Sequence, residues 1–132
     1  MLYGRFLALA SATASLILVA GCQSNRPAAS AASSAALPTM ERIALGASGC
    51  WFKSGDPAFQ AYRLAPELNS FSGRPRILIV PAKSPEARPL AVIQAEGQPA
   101  RLEAFGPLFS EPVGARMSAD VRRWAAGDRG CS

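Results

Sequence analysis

The cysteines carry the most available chemistry in this 132-residue chain, and there are three of them. Cys22 closes the run Leu18-Val19-Ala20-Gly21-Cys22, where an apolar stretch gives way to small side chains and then to a thiol. Only a thiol can form a thioether, and small residues just before it leave room for a peptidase to reach the backbone. There is no histidine. That removes Ser-His-Asp triads, Cys-His nucleophiles and histidine-ligated metals at once. No Cys-x-x-Cys is present either, so neither a metal nor a redox centre is expected. Ser-x-x-Lys, Gly-x-Ser-x-Gly and a glycine-rich phosphate loop are likewise missing from the sequence. Glu96 and Glu103 flank a proposed hairpin, and a carboxylate pair can work as acid and base on a glycoside. Glu103 also alternates with apolar neighbours, as a solvent-facing strand residue does. The pair therefore reads as solvated charge, and no catalytic residue is assigned.

Met1 to Arg5 form a short leader region with one positive charge, Phe6 to Val19 are apolar apart from small Ser and Thr, and Ala20-Gly21 is a small-residue cleavage site. These are the parts of a secretory signal peptide covering residues 1–21. A membrane-spanning helix needs about 20 predominantly apolar residues, and this stretch is shorter and runs into a polar segment. Val19-Ala20-Gly21-Cys22 resembles the lipobox of bacterial lipoproteins. The resemblance implies a diacylglycerol on the Cys22 thiol, cleavage just before Cys22 and an acyl chain on the new amino group. Each buried CH₂ contributes about 0.8 kcal/mol, and two chains already give stable anchoring. By resemblance to Gram-negative lipoproteins, Gln23 in place of Asp after the cysteine implies export to the outer membrane; the periplasmic face is the expected side.

Once Cys22 is set aside for lipid, Cys50 and Cys131 remain. An even pair in an exported domain implies a disulfide; two buried free thiols are the alternative. Residues 22–38 are dominated by Ala, Ser and Pro and bury too little to offset their ordering entropy, which makes them a tether. A single globular domain is then expected over residues 39–132, large enough for one modest core.

Within it, Thr39 is placed to cap a short helix through Met40, Ile43, Ala44 and Ala47, with Gly46 near its end. Ile77-Leu78-Ile79-Val80 predicts a central strand covered on both faces. Leu90–Glu96 and Arg101–Phe105 predict a hairpin around Gly97-Gln98-Pro99-Ala100. Cys50-Trp51-Phe52 and Tyr62-Arg63-Leu64 are further strand candidates. Asp56-Pro57 is a helix-start signature, and Ser70 to Arg74 read as a turn. Met117, Val121, Trp124 and Ala125 share one face of a C-terminal helix with Ser118 as cap and Gly127 as stop. Strands followed by a helix give an α+β class: a small antiparallel sheet with the C-terminal helix packed on one face.

Removing Arg5 with the leader leaves 13 basic residues against 9 acidic ones. Arg74, Arg76, Lys83 and Arg88 bracket the central strand. They could form a patch for an anionic glycan, lipid phosphate or an acidic envelope protein, or a charged edge that discourages strand-to-strand association. Aromatic residues are not interleaved with them, so nucleic acid is not an expected partner; Trp51, Phe52, Phe105 and Trp124 are read as core. The block Cys50-Trp51-Phe52-Lys53 with Gly73 to Pro81 resembles small uncharacterised lipoproteins of alphaproteobacteria, which brings no catalytic residues with it. The expected function is that of a non-enzymatic, membrane-anchored envelope lipoprotein presenting a surface to a partner. The alternative is a ligand-binding or inhibitor module acting on cell-wall components or hydrolases, with Ser54-Gly55-Asp56 or Phe105-Gly106-Pro107 as its tip.

Overall fold

A computed structural model describes residues 34–132. The first helix, α1 (Ala36–Gly46), turns Met40, Ile43 and Ala44 inward. It starts earlier than the sequence suggests. Ala35, with extended backbone, occupies the cap position, Thr39 lies inside the helix and is buried, and Pro38 sits in the first turn, where a missing N–H costs nothing. Tertiary bonds set this start: Ala36 N donates to Gly97 O at 3.0 Å, and Ala100 N to Ser34 O at 2.9 Å. Ser34 to Pro38, assigned from composition to the tether, are thus part of the folded domain.

Gly46 is the last residue of α1, as the sequence suggests, but it does not turn the chain out of a helical path. Its backbone is ordinary right-handed helix (φ −60°, ψ −50°), and the chain continues as a wider π-helical stretch, Ala47–Lys53. This replaces the strand expected at Cys50-Trp51-Phe52. Two buried side chains account for it: Trp51 enters the core, and Cys50 is held by the C-terminal tail. The glycine serves a close approach, because a Cβ at 46 would lie inside the Trp124 indole. Gly46→Ala gains helix propensity of about 1 kcal/mol but must displace a fully buried ring, so we expect a net loss of about 1–3 kcal/mol. Chemical denaturation measures it; wild-type stability in the variant would show that the indole yields freely.

Asp56 caps a short 3₁₀ turn, Pro57–Phe59, by accepting from Ala58 N at 3.0 Å, as the Asp-Pro signature predicts. Four strands follow: β1 (Tyr62–Glu67), β2 (Arg76–Pro81), β3 (Ala91–Glu96) and β4 (Arg101–Phe105). They form one antiparallel sheet in the order β1-β2-β3-β4, so β1 and β4 are the edges. The expected hairpin is the β3–β4 pair, with Glu96 opposite Arg101 and Gln94 opposite Glu103. β2 is central but not covered on both faces. Ile77 and Ile79 are buried toward the helices; on the other face Arg76 and Leu78 are half-buried and Val80 alone is buried. The two long helices share one side of the sheet, which leaves the opposite face mostly to solvent.

A second 3₁₀ turn, Pro107–Ser110, leads into α2 (Val113–Ala125). Ser118 is not its cap: the helix begins five residues earlier, and the Ser118 hydroxyl donates back to Gly114 O at 2.9 Å. Gly127 is the stop. With φ at 103° it lets Gly127 N reach Trp124 O and Asp128 N reach Arg123 O, each at 3.0 Å, the Schellman closure of a helix end. Arg42 of α1 donates to the carbonyls of Trp124 and Ala125, placing a cation where the helix dipole favours one.

Met117, Val121 and Trp124 of α2 join Met40 and Ile43 of α1 and the inward residues Ile77, Ile79 and Ile93 in one core. The fold is α+β, an antiparallel sheet with its helices on one face. At the centre Trp51 stacks on Phe59 (4.9 Å between centroids, 7° between planes) and tilts against Trp124 at 5.0 Å.

Candidate functional site

Cys22 lies outside the described residues. Cys50 and Cys131 are joined in a disulfide, with Cα atoms 5.4 Å apart across 81 positions of sequence. The bond pins the C-terminal tail to the π-helical stretch, and Trp124 Nε1 donates to Gly130 O at 3.0 Å beside it.

The four basic residues singled out in the sequence are not brought together. Arg74 and Arg76 lie where β2 begins, and Lys83 and Arg88 lie in the connection beyond its other end, roughly 17 Å of strand away. Arg74 and Arg76 are also not free to receive an anion as a pair. Arg74 Nε is 2.9 Å from Glu96 Oε2, and Arg76 Nε is 2.5 Å from Glu67 Oε2. Glu96 takes a second contact from Arg101 across the strand pair.

The carboxylates Glu96 and Glu103 share the solvent face of the hairpin as diagonal neighbours, each with its own partner. Glu103 accepts from Gln94 Nε2 at 2.7 Å. The Arg101 hydrogen bond and then the Arg74 charge hold the Glu96 carboxyl below its ordinary value. A general acid for glycoside hydrolysis needs the opposite shift.

Deeper in the fold one carboxylate is almost fully buried. Asp120, on α2, accepts from Trp51 Nε1 at 2.8 Å and from Arg123 Nη2 at 2.6 Å. Burial pushes its carboxyl up, but hydrogen bonds led by those from Arg123 and Trp51 outweigh it and the net direction is down. Arg116 sits alongside, 3.6 Å from Asp120 and 2.5 Å from Asp56, with its guanidinium over the Phe59 ring. This network ties α2 to the first 3₁₀ turn and the π-helical stretch. Its acids all have partners, which suits a structural role.

Of the two loop tips nominated from the sequence, Ser54-Gly55-Asp56 is occupied with the Ala58 cap and the Arg116 ion pair. At Phe105-Gly106-Pro107, Gly106 packs closely on the backbone of Leu90 and Ala91, and Phe105 is half-exposed on the outer sheet face. Phe105 thus departs from the core role expected of it. Phe52 is half-buried against the core, and Trp51 and Trp124 are wholly inside.

A different aromatic tip stands out. Phe71, in the β1–β2 connection, is fully exposed. The loop is held by its own bonds: Ser70 Oγ donates to Arg74 O at 2.7 Å, the Ser70 and Ser72 hydroxyls are 2.9 Å apart, and Gly73 N donates to Ser70 O at 3.1 Å. A shallow depression of about 560 Å³ runs beside it, lined by Glu67, Asn69 and Arg76 as well as by the loop. The sequence signalled this tip as a large apolar residue inside Asn-Ser-Phe-Ser-Gly, a setting where polar residues are the rule. The turn at Ser70 to Arg74 is as expected, and the exposed phenylalanine within it is a finding of the structure.

Among the described residues, no helix is long and apolar enough to cross a membrane. No protein-family model, curated protein or solved structure matches this chain.

Proposed function

We propose that this protein is a lipid-anchored envelope lipoprotein, held at the periplasmic face of the outer membrane through acyl chains on Cys22, whose small disulfide-closed domain presents a non-catalytic binding surface. The observation that carries the reading is the division of the cysteines. Cys50 and Cys131 use each other, which leaves Cys22 as the odd thiol, directly after Val19-Ala20-Gly21. A disulfide between those two also suits an oxidising, exported setting. The paired state of Glu96, Glu103 and Asp120 supports a binding role over acid–base catalysis.

The anchor has a direct test. In cells fed radioactive palmitate, the wild-type chain becomes labelled and shortens by its leader; Cys22→Ala remains unlabelled and at precursor length. Label that persists in the variant refutes the assignment.

A further inference from the structure

The described chain enters the domain at one particular end. Ser34 O is bonded to Ala100 N and Ala36 N to Gly97 O, so the N-terminal entry abuts the β3–β4 turn. In an antiparallel meander the β1–β2 turn lies at that same end of the sheet. The salt bridge from Arg74 to Glu96 and the bond from Ala95 N to Pro75 O at 3.2 Å join the two turns. Phe71 therefore projects from the end at which the chain leaves toward Cys22. Leu37, in the first turn of α1, is also there and 40% exposed. Two of the four large exposed hydrophobic side chains among the described residues thus share the entry end.

From Cys22 to Ser34 is 12 residues of chain, which reach at most about 40–43 Å fully extended. As a coil they would average roughly 17–21 Å. With Cys22 in a bilayer, a coil of that average length favours this end as the one nearer the lipid.

The charges at this end favour one kind of surface. Arg74 and Arg101 share Glu96, and Arg76 is matched by Glu67. Glu103 lies beside them, and two further cations stand at this end: Arg42, which reaches Ser34 Oγ, and Arg122, beside Ser34 and Ala100. An exposed Phe with a nearby Leu suits the headgroup–acyl boundary, and the two further cations suit its phosphates. We propose that the Phe71 loop is a second, reversible membrane contact. It dips into the interface of the bilayer that holds Cys22, and so fixes the orientation of the domain with this end of the sheet down and the Phe105 end away from the lipid.

This inference rests on the anchored reading, and its test can be separated from it. The lipoprotein is purified from expressing cells and reconstituted in phosphatidylcholine vesicles, with and without lipids brominated near the top of the acyl chains. If cells leave Cys22 unmodified, its thiol, the one outside the disulfide, is coupled to maleimide-bearing lipid. The anchor is then imposed whatever the palmitate result. Phe71→Trp is compared with Phe105→Trp. Position 105 is also exposed but lies at the far end of β4, and the native Trp51 and Trp124 are fully buried in both proteins.

Interfacial apolar side chains sit about 5–10 Å into the headgroup–acyl boundary. Brominated lipid should therefore quench the indole introduced at 71 by roughly half or more, and shield it from acrylamide. The indole introduced at 105 should respond to neither. Equal behaviour of the two variants overturns the proposal. So does an indole at 71 that stays open to acrylamide on vesicles and is shielded only when periplasmic protein is added, which would make the loop a protein-docking tip.

Discussion

Replacing Cys50 and Cys131 together by alanine, or reducing the bond between them, lowers the thermal midpoint of the domain by at least about 15 °C. The bond spans 81 positions, most of the described chain, so it removes a great deal of freedom from the unfolded state. In the chain-entropy account a loop of this length is worth about 4–5 kcal/mol. For a domain of this size each kcal/mol moves the midpoint by about 4–8 °C. Total stability in a small domain is itself only about 5–15 kcal/mol, so few other single changes compete with this one. The native state has its own stake in the bond, because the tail it holds supplies the Gly130 carbonyl to Trp124. Calorimetry with and without reductant reads the effect, and a shift of only a few degrees would place the tail outside the cooperative unit.

Asp120→Ala is expected to cost about 2–4 kcal/mol, because it strands a buried indole N–H and removes the partner of a cation. Trp51 is fully buried and has no solvent to turn to. Arg123 keeps Asp128, which limits the damage on that side. Asp120→Asn retains an acceptor for Trp51 and loses the charge, so it should cost less. Acid dependence follows from the same contacts. The carboxyl is held below its ordinary value of 3.8 in the folded state. Its contribution is therefore complete above that value and lost as pH falls through the lower, folded one. Denaturant unfolding across the acid range should show wild type losing stability there, with a shallower limb in Asp120→Ala. Identical limbs would mean that Asp120 is not the group that titrates.

Legibility followed the range of the forces involved. Two-residue alternation in Arg101–Phe105, the apolar run of β2 and the Asp56-Pro57 cap are local, and each was readable. Trp51 was not, because its place depends on Phe59, Trp124 and Asp120 converging on it from three elements. Aromatic and cysteine residues prefer strands when nothing else decides, and here a disulfide and an aromatic stack decided for a π-helical turn. Gly46 closes α1 as read, but the reason for the glycine was not legible. A glycine near a helix end ordinarily stops it, but the Trp124 indole needed the space. The Arg74 and Arg76 patch failed for want of register: Glu67 and Glu96 become their neighbours only once the strands pair. The Cys50–Cys131 link was legible from an exported setting and from parity once Cys22 is set aside for lipid, with no geometry required.

The open order of the sheet has a consequence for crowding. With β1 and β4 at its edges, two strands offer backbone groups to whatever lies alongside, and chains held on one surface meet far more often than chains in solution. The two flanks carry different deterrents. β1 contains Pro66, which has no N–H to donate and breaks the ladder a newcomer would build. β4 is only five residues long and sets Arg101 and Glu103 in the open, where an identical strand laid antiparallel must match its charges or be refused. A domain so built can be crowded, as the proposed lipid anchor would crowd it, and still remain separate from its copies.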